Sequence, residues 1–155
     1  MAQENVEIRQ SEAHSPHSVK LFSAAYESMQ SIYPNTQKAA FSMDPLRADG
    51  VKLLLAFHKE SPAGCCAIFK LDGYSELKRL FVLPEMREFG VAEGLLEEVE
   101  AVARRNHTRK IMLESGIRLE AAHRLYLRSG YRKRGAFGGH DDLPESLFFE
   151  IKLDA

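Results

Sequence analysis

Only two cysteines occur in the 155-residue sequence, the formal charge is −1, and no apolar run approaches the length of a membrane span. Each shortage excludes something. Cys65 and Cys66 are adjacent within an apolar run, and neighbours on a strand point to opposite faces, so they suit neither an ordinary disulfide nor a metal knuckle. Buried thiols are expected. The near-neutral charge lacks the basic excess of a protein whose main partner is nucleic acid or an anionic membrane. The run Arg104 to Lys110 is locally basic, but it closes a helical pattern and has no interleaved aromatics. Met1 to Lys20 is polar throughout, unlike a signal peptide, so a cytosolic protein without a membrane partner is expected. The six histidines show no ligand spacing such as His-x-x-x-His, so no metal is expected, and His58, His107 and His123 are assigned to packing or surface. Repeats, low-complexity tracts and linkers are missing, as are a Walker lysine motif and a Gly-x-Gly-x-x-Gly following a strand.

What is present describes a globular chain. Apolar residues make up 45% and charged residues 28%, and the length suits one core, so residues 1–155 are expected to form a single domain. Val6 to Arg9 reads as an edge strand, and Ser15-Pro16-His17-Ser18 opens a helix with the stripe Val19, Phe22, Ala25, Tyr26 and Met29, stopped at Tyr33-Pro34-Asn35. Residues 36–50 read as irregular, with at most a short helix. Val51 to His58 and Ala63 to Leu71 form a predicted hairpin, and Glu76 to Leu83 is the next strand, ended by Pro84. A helix follows over Val91 to Arg105, where Val91, Leu95, Val99 and Val102 recur at close to the helical period, with glutamates early and Arg104 and Arg105 late. Arg109 to Leu113 is a strand, Leu119 to Arg128 a helix stopped by Ser129-Gly130, and two strands near Tyr131 to Ala136 and Ser146 to Leu153 flank the loop Phe137 to Glu145.

The informative junction runs from Leu77 to Leu96, where a strand passes through a small-residue turn into the strongly periodic helix. Arg87, Gly90 and Ala92 fit Arg/Gln-x-x-Gly-x-Gly/Ala. Backbone N–H groups at a helix start lack partners and face the positive end of the dipole, which suits a diphosphate, and small residues let the backbone come close. Downstream, Leu125-Tyr126-Leu127-Arg128-Ser129-Gly130-Tyr131 fits Leu-Tyr-x-x-x-Gly-Phe/Tyr, and Leu113-Glu114-Ser115-Gly116-Ile117 lies between the two. Together these segments resemble the GNAT superfamily of N-acetyltransferases, over about residues 51–153. The resemblance implies an α/β (α+β) fold with a mixed, mostly antiparallel sheet of six to seven strands, splayed between the fourth and fifth and flanked by helices.

It also implies acetyl-CoA as cosubstrate, without a metal, and a primary amine of a small molecule or peptide as acceptor. The pyrophosphate would lie on Arg87, Glu88, Phe89, Gly90, Val91 and Ala92, and the pantetheine arm along backbone groups near Phe81, Val82 and Leu83, one amide polarising the thioester oxygen. Glu76, eleven positions before Arg87, matches a catalytic glutamate of several family members and is the candidate general base. A solvated glutamate paired with a lysine is its structural alternative. Tyr126 matches the tyrosine that protonates the departing thiolate, with aromatic packing as its alternative, and Tyr131 is assigned to the core. Arg124 and Arg128 share a helix face, and either could meet the 3′-phosphate or simply serve as helix-end charge.

Two positions depart from the family pattern. Glu88 stands where glycine is common and brings a carboxylate near the phosphates, and residues 114–120 provide Ser115 and Arg118 but no asparagine for the pantetheine. They motivate the alternative of a non-catalytic acyl-CoA-binding or regulatory module. His140-Asp141-Asp142, in the last loop, could draw an ammonium group, with a polar hairpin loop as the default. Monomer and homodimer stay open.

Overall fold

A computed structural model describes residues 5–37 and 41–154. Strand β1 (Val6–Ser11) leads into α1 (Pro16–Ile32), whose N-cap Ser15 accepts from the Ser18 amide at 3.2 Å while Pro16 occupies the first turn. A short 3₁₀ turn at Asp44–Arg47 precedes β2 (Val51–His58) and β3 (Ser61–Leu71), joined by Lys59 and Glu60, both at positive φ. Then come β4 (Tyr74–Val82), a 3₁₀ turn at Pro84–Met86, α2 (Val91–Arg105), β5 (Lys110–Gly116), α3 (Glu120–Arg128), β6 (Arg132–Arg134) and β7 (Ser146–Lys152). Residues 38–40, within the segment read as irregular, lie outside the described residues.

The seven strands form one sheet in the order β1-β2-β3-β4-β5-β7-β6, antiparallel except for the β4–β5 contact. Two apolar layers enclose it. On one face Leu77, Ile111, Leu113 and Phe149 pack under Leu95 and Val99 of α2 and Leu125 and Tyr126 of α3. On the other, Leu21 and Phe22 of α1 cover Leu53, Leu55, Cys65 and Ala67. The adjacent cysteines thus face opposite layers, as strand alternation requires.

Apart from element ends that shift by one or two residues, three features differ from the sequence reading. Val19 is 46% exposed, whereas Ser18, Leu21, Phe22 and Ala25 form the buried face of α1. The helix is turned by Ser18, whose hydroxyl lies 2.8 Å from that of Ser15 and 3.3 Å from that of Ser11, so a polar residue is satisfied inside. Strand β5 runs on to Gly116, because each residue from Lys110 onward has a partner on β7. Strand β6 keeps only Arg132–Arg134: Tyr131 turns into the core after Gly130, its amide donating back to the Tyr126 carbonyl.

Candidate active site

The sheet is forked. β4 and β5 meet only at Ser75↔Ile111 and Glu76↔Met112, although β4 continues to Val82 and β5 to Gly116. A bulge on β4 accounts for the divergence: Cys65 faces Phe81 and Ala67 faces Lys78, so two residues, Arg79 and Leu80, oppose Cys66 alone. An inserted residue bends its strand and adds twist, and Arg79 takes φ 60° to accommodate it. The Arg79 guanidinium is half-buried, donates to the Phe41 carbonyl at 3.4 Å and lies over the Phe41 ring. Beyond the bulge the Leu83 amide donates to Ala63 of β3. Alternation then turns the N–H of Val82 toward the fork. Of the three positions Phe81, Val82 and Leu83, Val82 therefore presents its amide to the gap, while the Phe81 and Leu83 side chains pack into the α1 layer.

Immediately beyond β4 the chain makes a cradle of amides. Among the described residues, the N–H groups of Glu88, Phe89, Gly90, Val91, Ala92 and Glu93 donate to no main-chain carbonyl outside regular elements, and the first such bond of the helix is Gly94 to Gly90 at 3.0 Å. Gly90 caps α2 at φ 79°, ψ 18°, the left-handed region that glycine enters freely. Glu88 occupies the same region at φ 75°, which a glycine would enter without steric cost, and its side chain is exposed. Arg87 steadies the turn, its Nε 3.4 Å from the Val82 carbonyl. Phe89 is 42% exposed and stacked on His58, with ring centroids 4.3 Å apart. Arg128 lies 3.8 Å from Glu93 of the first α2 turn, an exposed contact.

At the apex of the fork sits Glu76, only 4% exposed. A solvated glutamate paired with lysine is excluded, because Oε2 is 2.7 Å from Nε2 of His140. The other ring nitrogen, Nδ1, is 3.3 Å from Oε1 of Glu114 on β5, and Ser146 donates to the second oxygen of Glu114 at 2.7 Å. His140 thus reaches the fork from the β6–β7 loop and lies between a carboxylate of each diverging strand. The sequence leaves His140-Asp141-Asp142 between a polar hairpin loop and a group that could draw an ammonium; what anchors the loop here is Phe137, buried against Met112 and Phe148 just ahead of the glycine pair.

Tyr126 belongs to the core under α3, ringed by Tyr131 and Phe149 at 5.7 and 5.5 Å, and burial pushes its phenol well above the usual range. It stays protonated at neutral pH. Burial likewise raises both thiols, which keeps Cys65 and Cys66 from serving as thiolates. In the stretch lacking an asparagine, Ser115 is buried and Arg118 is turned onto α1, where it donates to the Ile32 carbonyl at 3.1 Å and lies over Tyr33. No group of side chains among the described residues could hold a metal ion, and none of the described helices is long and apolar enough to cross a membrane. Two surface hollows border α2, one lined in part by Glu7, Glu97 and Glu98 and the other by Glu93, Glu97 and Glu100, whose charge disfavours an anion inside them.

A mixed sheet forked between its fourth and fifth strands, with a helix opening beside the fork, is the GNAT architecture. Residues 18–131 match the family model of the acetyltransferase (GNAT) family, and the chain belongs to that family. It is 33% identical over 125 residues to an IAA acetyltransferase of Azospirillum brasilense, covering 79% of this chain and 81% of the relative. Its fold superposes on a Klebsiella pneumoniae protein assigned as an acyl-CoA N-acyltransferase with a TM-score of 0.81 at 30% identity, covering 96% and 98% of the two chains. A GNAT acetyltransferase of Elizabethkingia anophelis solved with acetyl-CoA bound shares the fold at a TM-score of 0.72 and 17% identity, covering 97% and 99%.

Proposed function

We propose that the chain is an acetyl-CoA-dependent N-acetyltransferase that moves the acetyl group directly onto a primary amine of a small molecule or peptide, within a ternary complex. The observation that carries this reading is the fork itself, with a buried carboxylate on its last shared rung and an amide cradle at the far end of the same strand. The residues fit the cosubstrate. Amides 88–93 and Arg87 would hold the diphosphate, and the open side of β4 would bond the pantetheine as a neighbouring strand does.

Acetyl-CoA supplies an activated acyl group, and the protein supplies position and charge. Glu76 takes a proton from the incoming ammonium, directly or through water, which frees the nitrogen lone pair. The Val82 amide donates to the thioester oxygen as negative charge develops there. Tyr126, held protonated by burial, gives a proton to the departing sulfur.

A panel of amine classes incubated with acetyl-CoA, with free thiol measured, tests this reading. Turnover is expected with at least one class, and Glu76→Gln should lower kcat by about 10²–10⁴-fold while calorimetry still records acetyl-CoA binding. Binding without turnover on any amine would instead favour an acyl-CoA-binding module, the reading that the Glu88 carboxylate in the cradle motivates.

A further inference from the structure

The reaction proposed above removes two protons from an ammonium to make an amide nitrogen. One ends on the coenzyme sulfur, and the other must reach water. Glu76 has little direct access to bulk water for passing it on, its side chain being 5% exposed. The only imidazole bonded to it among the described residues is that of His140, and the far nitrogen of that ring makes a 3.3 Å charge contact with Oε1 of Glu114, whose side chain is 35% exposed.

We infer that His140 is a proton relay: it carries the proton taken up by Glu76 across the fork to Glu114 and so to solvent. The inference rests on the acetyltransferase reading. With the ring in its Nδ1–H tautomer, Nε2 accepts the proton that Glu76 has taken up on Oε2, and Nδ1 releases its own toward Oε1 of Glu114. No bond other than N–H and O–H changes, no electron is transferred, and one proton enters as one leaves. Exchange with water at the ring, 22% exposed, restores the starting tautomer.

The loop holds the ring for this purpose. The His140 amide donates to the Phe137 carbonyl at 3.1 Å, closing a turn through Gly138 at φ 57°, and the imidazole meets the buried Phe137 ring edge to face at 4.9 Å. A Cβ on Gly138 would come within 2.9 Å of the Tyr74 hydroxyl, so only glycine lets the loop settle here. The other charged and titratable groups around the ring are otherwise placed. Tyr74 is kept protonated by burial and by Glu76, Arg134 is bonded to Glu150 at 2.6 Å, and Asp141 and Asp142 are exposed.

The test compares His140→Ala, His140→Gln and Glu114→Gln with the wild type, reading kcat and the KM for acetyl-CoA on an amine that the wild type acetylates. His140→Ala should lose about 10²-fold in kcat with KM for acetyl-CoA unchanged, and imidazole added to the buffer should restore turnover saturably. His140→Gln keeps a hydrogen-bond partner for Glu76 but cannot relay, so it should stay as slow as the alanine variant; Glu114→Gln should be slowed less. Calorimetric binding of acetyl-CoA shows that each variant is folded. A His140→Gln enzyme as fast as the wild type would reduce His140 to a steric prop and overturn the relay, and so would an alanine variant deaf to imidazole. A wild type inert toward every amine would instead overturn the enzyme reading and the relay with it.

Discussion

Gly90→Ala separates the cradle from the rest of the molecule. Gly90 sits at φ 79°, ψ 18°, where an alanine is disfavoured by about 1–2 kcal/mol, while the methyl group restricts the unfolded chain and returns about 0.4–1 kcal/mol. The net loss of stability is therefore about 0–1.6 kcal/mol, and the melting temperature should fall by no more than roughly 6 °C for a domain of this size. Ligand binding should suffer more. If the backbone escapes the strain by rotating, the amides of Phe89 to Ala92 no longer converge, and each charge-assisted bond lost to a phosphate weakens binding by about 1.5–3 kcal/mol. One such bond corresponds to about 10–150-fold in Kd. Titration calorimetry with acetyl-CoA reads this directly, and S-acetylpantetheine, which lacks the diphosphate, is the control whose affinity should not move. Equal acetyl-CoA affinity for Gly90→Ala and wild type would refute the cradle, and equal weakening of both ligands would place the defect in the fork.

Three further substitutions probe other parts of the argument. Glu88→Gly removes both a left-handed glutamate and a carboxylate from the proposed diphosphate cradle, so acetyl-CoA should bind up to about 10-fold tighter at low salt, the gain shrinking as ionic strength rises; weaker binding would show that the carboxylate helps. Tyr126→Phe keeps the ring that packs on Tyr131 and Phe149 but deletes the proton, so kcat should fall by about 10–100-fold at near-wild-type stability, and an unchanged kcat would leave Tyr126 as packing alone. In α1, Leu21→Ala should lose about 2–5 kcal/mol in denaturant unfolding and Val19→Ala no more than about 0.5 kcal/mol, because Leu21 is fully buried and Val19 is not. The reverse order would return Val19 to the core.

Local patterns were legible in the sequence, and long-range partners were not. Helix α2 and the loop before it are written in consecutive residues: the apolar period, the small residues at Gly90 and Ala92, the arginines at the far end. The position of Glu76 on its strand was equally readable, but its burial depends on a loop sixty-four residues downstream. No spacing rule links the two. The loop itself reads as polar, and what folds it back is a single buried aromatic, Phe137. The bulge is visible only once the two layers are known. Leu77 and Leu80 both face the α2 layer although three positions separate them, and a strand with period two cannot do that without an extra residue.

That extra residue explains why the fork lies where it does. Arg79 at φ 60° and Glu88 at φ 75° are non-glycine residues held in a region disfavoured by about 1–3 kcal/mol each, and with Gly90 they fall within one short stretch around the cradle. Such strain survives only where flanking structure enforces it. Before the bulge Leu77 is pinned in one apolar layer, and after it Phe81 is pinned in the other, so the chain cannot remove Arg79 from the register without exposing one of them. A regular β4 would keep its direction, zip onto β5 past Glu76 and Met112, and satisfy its own edge. The bulged strand leaves that edge open toward Val82, at the end nearest the free amides of the α2 start. The backbone groups that β5 would otherwise have bonded are thereby left open, which in the proposed reading suits an extended ligand, and the carboxylate at the last shared rung sits at the apex of the gap.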